Sequence, residues 1–358
     1  MSETSSCCRL SDSAPFQTYE DVVRHLNSLG LFHMDMGLDR MKRALHALGL
    51  DSFRCPAVQI VGTNGKGSTS VFLQSIAMAH GLNAGLYTSP HFVWPEERIR
   101  QNHTMLPRRV WPALAGEAVR AEKDLTYFEL LTVMAASAFQ TSESDLMIFE
   151  AGLGGRYDAT TALPVEMVCF APIGMDHMNV LGDTLAAIAD DKSDALRAGV
   201  SAAVSAPQSD EVRSILLKKA EERGIAMCSS PTSKGCDGNK SGQALWNALH
   251  EEMRKCAVLP DAVELGLRGP HQRINAQTAV LAWIMLCHLH HWKTDSHTIA
   301  LGLSRAFIPG RLQFVPADRR HPAMWLDGAH NPHGMTALLK AVEQMKEEER
   351  PGAVVFSC

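Results

Sequence analysis

Gly62-Thr63-Asn64-Gly65-Lys66-Gly67-Ser68 follows the apolar run 57–61 and precedes a segment, 69–77, whose apolar residues have helical spacing. A β-branched run, a glycine-rich turn and a helix in this order are the context of a phosphate-binding loop. The glycines let backbone N–H groups approach phosphate oxygens, and the positive end of the helix points to the same place. We therefore predict that Lys66 reaches the β and γ phosphates of a nucleotide. The alternative is a glycine-rich turn with an incidental lysine.

The loop departs from the general pattern G-x-x-x-x-G-K-[ST]. It is shorter, and Gly67 stands between the lysine and Ser68. This departure predicts a subclass of nucleotide site rather than a generic ATPase, with a nearby hydroxyl available to ligate Mg²⁺.

Length and composition are those of an ordinary globular protein. The 358 residues are enough for two domains; 46% of them are apolar and 20% are charged. A net charge of −5 without a basic cluster argues against nucleic acid as a partner. We expect small-molecule substrates and a monomer.

Cysteine usage and the apolar segments bear on the compartment. The nine cysteines show no C-x-x-C spacing, which is typical of reduced thiols. Residues 1–13 lack the basic and apolar regions of a secretory signal, and the longest apolar stretch, 276–289, is too short to span a bilayer. We expect a cytoplasmic protein without a membrane partner.

Predicted strands and helices alternate along most of the chain. Besides 57–61, the predicted strands are 84–87, 146–150, 166–171, 200–206 and 225–228. The intervening segments include the predicted helices 185–197, 211–223 and 272–289, and two more helices, 18–29 and 38–48, come first. This alternation predicts an α/β fold with a doubly wound, mainly parallel sheet of the phosphate-loop type.

A composition break divides the chain. We expect a flexible arm over 1–16, an ATP-binding domain over 17–306 and a linker over 307–312. Residues 313–358 then form a smaller α/β domain with predicted strands at 324–326 and 353–356. Because one β-α-β fragment is a poor domain, we expect this second domain to be incomplete.

Polar and acidic residues follow three strands of the predicted sheet. They are the turn 88–92, Glu150 and His177. The carboxyl ends of parallel strands meet at one edge of a sheet, where ligands bind. An acid at that edge beside a phosphate loop is placed to hold Mg²⁺, although acids often end strands. A lone histidine is more often a satisfied polar residue than a ligand.

Two segments leave alternatives open. Arg156, after the glycine-rich run 152–155, could face an anion or lie at the surface of a tight turn. Lys192, beside Asp190, Asp191 and Asp194, has the surroundings of a solvated charged face with weak ion pairs.

The first turns of the predicted helix 272–289 also allow two interpretations. Gln272 and Asn275 are three residues apart and share a face. They could recognise a base edge or simply cap the helix.

Seven ordered motifs resemble those of the folylpolyglutamate synthase/dihydrofolate synthase family, which belongs with the Mur ligases. They are GTNGKGS at 62–68, TSPH at 88–91 with ERI at 97–99, EAGLGGRYDAT at 150–160, DH at 176–177 with LGDT at 181–184, HQ at 271–272 with NA at 275–276, GR at 310–311 and DGAHNP at 327–332. The matches run from about residue 20 to 350, and the first and last motifs are very specific. The chain departs from the family's usual pattern at Thr161 and at Ser193-Asp194-Ala195.

The resemblance implies an ATP-dependent ligase. The γ-phosphoryl group of ATP would activate a carboxylate of dihydropteroate or tetrahydrofolate as an acyl phosphate, and the amine of L-glutamate would then displace phosphate. Positioning and charge neutralisation supply most of such catalysis.

The resemblance also implies site residues. Ser89, Glu150 and His177 would hold magnesium, and Lys192, carboxylated by CO₂, would support a second Mg²⁺ ion. With Lys66, His177 and Lys192 form the catalytic set. ATP would be bound by the residues 62–68 together with Asn275, Arg311, Asp327 and His330. The pterin side would contact Asp35, Met36, Gly37, Thr126, Tyr127, Phe128, Glu129 and a residue near 157, Tyr157.

Three other functions compete with this hypothesis. One is a Mur-type ligase with another acceptor, although HMDMGLDR at 33–40 and TYFE at 126–129 favour the folate branch. A second is a non-catalytic protein that binds a nucleotide or folate, and a third is a phosphotransferase. Dihydrofolate synthesis and polyglutamate extension cannot be separated, since both present a carboxylate on a pterin-bearing substrate.

Overall fold

The computed structural model describes residues 15–31, 33, 35–229, 238–242, 244, 263–329, 331–353 and 355. Its described helices, numbered in chain order, are α1 (Tyr19–Leu29), α2 (Asp39–Ala47), α3 (Lys66–Ala79), α4 (Trp111–Ala121), α5 (Tyr127–Thr141), α6 (Met178–Leu181), α7 (Leu185–Ser193), α8 (Asp210–Glu222), α9 (His271–His290), α10 (Ser296–Arg305) and α11 (Pro332–Glu343). Its described strands are β1 (Ala57–Val61), β2 (Ala84–Tyr87), β3 (Ile99–Gln101), β4 (Thr104–Met105), β5 (Leu146–Glu150), β6 (Met167–Phe170), β7 (Ala202–Ser205), β8 (Ala226–Ser229), β9 (Gln313–Val315) and β10 (Met324–Leu326).

Eight strands form one sheet in the order β4-β3-β2-β5-β1-β6-β7-β8. The six strands from β2 to β8 in this order pair in parallel, while β3 and β4 add an antiparallel edge. β1 lies near the middle, between β5 and β6, so the phosphate loop leaves the sheet where the strand order changes direction. Ligands of open α/β sheets bind at such switch points.

Helices cover both faces of the sheet. Alternate residues of β1 belong to the hydrophobic cores on opposite faces of the sheet. Ala57 and Val61 pack with α1, α2, α4 and α5 on one face. Val58 and Ile60 pack with α3, α9 and α10 on the other face. A strand buried on both faces reads as a continuous apolar run, which is why β1 shows no alternation in its sequence. The predicted doubly wound, mainly parallel fold is confirmed.

Beyond α10 the chain forms a small antiparallel pair, β9 with β10, followed by α11. The change from the large sheet to this pair falls across the predicted linker 307–312. The division into domains stays a prediction. Most of the predicted arm and two residues of the predicted last strand, 354 and 356, lie outside the described residues, whereas Phe16 packs into the core.

Several boundaries differ from the sequence prediction. The helix predicted over 185–197 ends at Ser193. The helix α11 ends at Glu343, before a short 3₁₀ turn at Glu347–Glu349. The phosphate loop is also shorter than predicted because α3 begins at Lys66. None of the described helices combines the length and apolar character needed to cross a membrane.

Candidate functional site

A cavity of about 1510 Å³ opens at the carboxyl edge of the large sheet. Its walls include the phosphate loop, the turn after β2, the end of β5, the start of α9 and residues 327–329 of the second domain. Both parts of the chain therefore contribute to one site.

The phosphate loop is compact because of a contact with α9. Gly65 has a φ of +81°, a conformation that favours glycine, and a Cβ there would lie 2.2 Å from Asn275 Oδ1. The first turn of α3 starts immediately afterwards, and Lys66 Nζ donates a hydrogen bond to the carbonyl of Thr63 over 3.2 Å. A helix N-terminus preceded by such a loop favours an anion. Asn275 donates to Gln272 Oε1 at 2.9 Å.

The position of Glu150 explains why a glycine follows the lysine in this phosphate loop. A Cβ on Gly67 would lie 3.3 Å and 3.4 Å from the two carboxylate oxygens of Glu150, closer than most side chains approach. The carboxylate is buried at the end of β5 and accepts a hydrogen bond from the Ser89 amide at 3.0 Å. Burial raises the pKa of Glu150, and the neighbouring charges of Lys66, Arg311 and Arg98 oppose that rise.

His177 lies on a loop that reaches the second domain. It adopts a left-handed φ of +49° at the start of α6, and its side chain is half exposed. The preceding Asp176 accepts a hydrogen bond from Asn331 Nδ2 at 2.7 Å. The same Nδ2 atom lies 3.3 Å from Asn64 Oδ1 in the phosphate loop. Asn331 thus joins three segments around the cavity.

Ser89, Glu150 and His177 all line this cavity. Across the described residues, no group of three or more His, Cys, Asp or Glu side chains is close enough to hold a metal ion. One buried carboxylate beside a phosphate loop nevertheless fits Mg²⁺, which binds through one or two carboxylates, waters and substrate phosphates rather than an all-protein cage.

Lys192 is buried, with 3% of its surface exposed, so the interpretation of a solvated face is wrong for this residue. Burial and the charge of Lys66 lower its pKa to about 7, against the opposing carboxylates of Asp191, Asp158 and Asp176. The glycine-rich loop after β5 buries it, because a Cβ on Gly155 would lie 2.5 Å from the Lys192 carbonyl oxygen. Lys192 itself is not among the lining residues in the described part of the chain, whereas Asp190 and Asp191 are.

The charges around Lys192 do form ion pairs. Arg156 bonds Asp194 through Nε and Asp190 through Nη2, and Lys219 bonds Asp194 at 2.9 Å. Arg156 therefore faces carboxylates of α7, and Asp194, one of the departures from the family pattern, is part of this network. The other departure, Thr161, accepts a hydrogen bond from the buried Gln59 at 2.8 Å.

The residues expected to contact the pterin side lie on one wall. Those that line the cavity are Asp35, Met36, Thr126, Phe128, Glu129 and Tyr157; among the described residues, Gly37 and Tyr127 do not. Arg40 ties this wall together, since it pairs with Asp35 at 2.6 Å and with Glu129 at 3.1 Å.

Arg311 and Asp327 reach the cavity from the part of the chain that follows α10. Asp327 accepts hydrogen bonds from the amides of Leu312 and Ala329, both at 2.8 Å, and so fixes the turn that carries Arg311. His330 lies outside the described residues.

Two cavity residues received no role from the sequence. Arg98 and Asn331 stand inside the quoted motifs ERI and DGAHNP; Asn331 bonds Asp176, 155 residues away, whereas Arg98 bonds His91, only 7 residues away. Their positions inside these two motifs are the feature of the sequence that could have identified them as site residues.

The sheet and cavity define a class: a nucleotide-dependent α/β enzyme whose phosphate loop shares its cavity with residues that follow the large sheet. No family model matches the chain. It is 31% identical to the dihydrofolate synthase/folylpolyglutamate synthase of Bacillus subtilis, covering 96% of this chain and 80% of the relative. It is 30% identical to the Escherichia coli protein of the same name, covering 96% and 76%.

A solved structure agrees with these relatives. Escherichia coli FolC in complex with DHPP and ADP superposes with a TM-score of 0.75 at 28% identity, covering 94% of this chain and 76% of that one. The chain belongs to the dihydrofolate synthase/folylpolyglutamate synthase family and is an ATP-dependent ligase. The predicted resemblance is confirmed.

Proposed function

We propose that this ligase joins L-glutamate to the carboxylate of dihydropteroate or a reduced folate. The observation that carries the proposal is the convergence of both parts of the chain on one cavity, where Asn331 bonds the phosphate loop and the Asp176 loop. The structure of the Escherichia coli relative in complex with DHPP and ADP supports a nucleotide and an acceptor ligand in one site.

The reaction proceeds in two balanced steps. A carboxylate oxygen of the acceptor attacks the γ-phosphorus of ATP, the bond to the β,γ-bridging oxygen breaks, and ADP leaves. The amine of glutamate then attacks the acyl carbon, phosphate leaves, and the amine loses its proton. Lys66 and the amides of the first turn of α3 stabilise the charge on the transferred phosphoryl group.

The remaining ATP and metal contacts are assigned from the resemblance to the family. Asn275 contacts the adenine, and Arg311, Asp327 and His330 contact other parts of ATP. Ser89, Glu150 and His177 would hold Mg²⁺, which would supply charge neutralisation. The acceptor side is formed by Asp35, Met36, Gly37, Thr126, Tyr127, Phe128, Glu129 and Tyr157.

Lys192 is a site for carboxylation in this proposal. A neutral amine attacks CO₂ and releases one proton, and the product carries a negative charge. Beside Lys66 and a bound cation, an ammonium is repelled and a carbamate is attracted. The low pKa supports this modification, because the neutral amine is available near pH 7. A second Mg²⁺ ion would be held by the carbamate.

The test is phosphate release from ATP by the purified chain with Mg²⁺ and L-glutamate. Dihydropteroate and tetrahydrofolate are compared as acceptors, and release should require both glutamate and an acceptor. Lys66→Met should abolish it, whereas Lys218→Met, at a lysine side chain that is 79% exposed, should not. Release that ignores the acceptor, or ATP binding with no release, contradicts the proposal. We also propose a monomer, which light scattering of the eluted protein can test.

A further inference from the structure

Arg98 is a buried cation in the cavity wall. It is 4% exposed, lines the cavity and ends the 3₁₀ turn before β3. Its Nε donates to His91 Nδ1 at 2.9 Å, and its guanidinium lies over the Tyr127 ring, 5.3 Å from the centroid. Burial and the charge of Arg98 lower the pKa of His91, so the imidazole is neutral and accepts this hydrogen bond. The arginine is therefore held rigidly from two sides.

The carboxylates next to Arg98 in the sequence are engaged elsewhere. Glu96 pairs with Arg108 at 2.7 Å and accepts from the Tyr19 hydroxyl. The Glu97 carboxylate accepts hydrogen bonds from the backbone amides of residues 92–94. Within the described ranges, no carboxylate lies within ion-pair distance of Arg98. A buried charge without a paired counter-ion is costly, and this favours an anionic ligand.

The position of Arg98 indicates which anion it binds. Its charge acts on Glu150, on the metal side of the cavity, and its face rests on Tyr127, at the start of the helix that carries the acceptor wall. It thus lies between the wall proposed for the pterin and the end of the phosphate loop. In the proposed function, this is where the acceptor's carboxylate would meet the γ-phosphate. The Nε bond to His91 leaves the Nη side of the guanidinium, which also interacts with the Tyr87 hydroxyl and which is the fork that binds carboxylates and phosphates in a bidentate manner.

Resting on the proposed function, we propose that Arg98 binds the acceptor's carboxylate and the acyl phosphate formed from it. The residue orients the attacking oxygen in the first step and neutralises the acyl phosphate until glutamate arrives. His91 and Tyr127 position the guanidinium.

The experiment compares two ligands by calorimetry in the presence of a non-hydrolysable ATP analogue and Mg²⁺. One is dihydropteroate and the other is its carboxamide, which has the same shape without the charge. Wild-type protein should bind the carboxylate at least about tenfold more tightly. Arg98→Gln should lose that preference, Arg98→Lys should keep part of it, and ATP-analogue binding should change less than about threefold in both. The control Arg109→Gln removes one exposed positive charge and should retain the full preference.

The outcomes separate this inference from the function on which it rests. If wild-type protein binds neither ligand, the proposed function is wrong and the role of Arg98 falls with it. If wild-type protein prefers the carboxylate and Arg98→Gln keeps that preference, the role of Arg98 is wrong while the function stands. Thermal unfolding checks that each variant is folded. If Arg98→Gln fails to fold, the preference of Arg98→Lys decides, and an unchanged preference in that variant overturns the bidentate role.

Discussion

Gly67 shows how a single side-chain position shapes the nucleotide site. In general phosphate loops the residue after the lysine is serine or threonine, and here glycine takes that place. The carboxylate oxygens of Glu150 lie 3.3 Å and 3.4 Å from where a β-carbon would stand, which is a tight contact. The family-specific glycine therefore lets a buried acid approach the first turn of α3.

The first prediction concerns this contact. Gly67→Ala should raise the KM for ATP by about tenfold, because the methyl group displaces Glu150 from the Mg²⁺·ATP site. The matched control is Gly81→Ala. Gly81 has a φ of +85° and open space around it, so alanine there should cost about 1 kcal/mol of stability without changing the KM. Equal KM values for the two variants would contradict this role for Gly67.

The second prediction at this scale concerns pH and CO₂. Burial lowers the pKa of Lys192 to about 7, so its amine is neutral above that pH and protonated below it. Because only the neutral amine reacts with CO₂, the bicarbonate-dependent part of the activity should fall as the pH falls below about 7. The bicarbonate-dependent part of the activity is the difference between the rates with and without added bicarbonate in CO₂-depleted buffer, measured between about pH 6 and about pH 8.5. Lys192→Met should show no bicarbonate response. A wild-type response independent of pH would rule out this explanation.

At the scale of elements, the loop between β2 and β3 is ordered by one carboxylate. Glu97 accepts the amides of Phe92, Val93 and Trp94 at 2.7, 2.8 and 2.8 Å. This holds the turn in place although the side chains of residues 92–94 are largely exposed. The aromatic ring of Phe92 then packs against Gly310, where a Cβ would lie 2.2 Å away. The loop thereby connects the edge of the large sheet to the linker.

The third prediction removes that carboxylate. Burial works to raise the pKa of Glu97, but its hydrogen bonds to the three backbone amides outweigh this and lower it. A lowered pKa gives stability that is present above the unfolded value near 4.5 and is lost as the pH falls through the folded value. Glu97→Gln should therefore destabilise the protein by about 2 kcal/mol at neutral pH and by less in acid.

Urea unfolding at several pH values measures the difference. Glu117→Gln, at an exposed glutamate on α4, is the control and should change the free energy of unfolding by less than about 0.5 kcal/mol. A Glu97→Gln effect that stays constant down to acid pH would show that the charge is not responsible.

At the scale of the whole molecule, Asn331 joins the part of the chain after the predicted linker to the nucleotide site. Its Nδ2 reaches Asp176 and Asn64, the latter 267 residues away in the sequence. Its Oδ1 also accepts the Gly334 amide at 2.8 Å and caps α11. One side chain thus serves both the local helix and the closure of the cavity.

The fourth prediction separates these two roles. Asn331→Ser keeps a cap for α11 but is too short to reach Asp176, so stability should change by less than about 1 kcal/mol. The KM for ATP should nevertheless rise by about fivefold, because the second domain is held less firmly over the phosphate loop. Small-angle scattering with and without an ATP analogue should show reduced compaction in the variant. Wild-type compaction and KM in Asn331→Ser would mean that this contact does not contribute to closure.

The sequence by itself determined the doubly wound α/β fold, the phosphate loop and the family. These follow from local patterns: continuous apolar runs for strands buried on both faces, helical spacing, and motifs of contiguous residues. Glu150 could also be located, because acids at the carboxyl ends of parallel strands meet near the phosphate loop.

Only the tertiary structure decided the burial of Lys192, the open guanidinium of Arg98 and the bridge made by Asn331. Lys192 stands among aspartates in the sequence, and its burial comes from a glycine-rich loop some 35 residues earlier that packs against α7. Arg98 is next to two acids in the sequence, yet those acids bind other groups in the fold. Charge pairing and burial depend on which distant segments meet, and neighbours along the chain do not specify that.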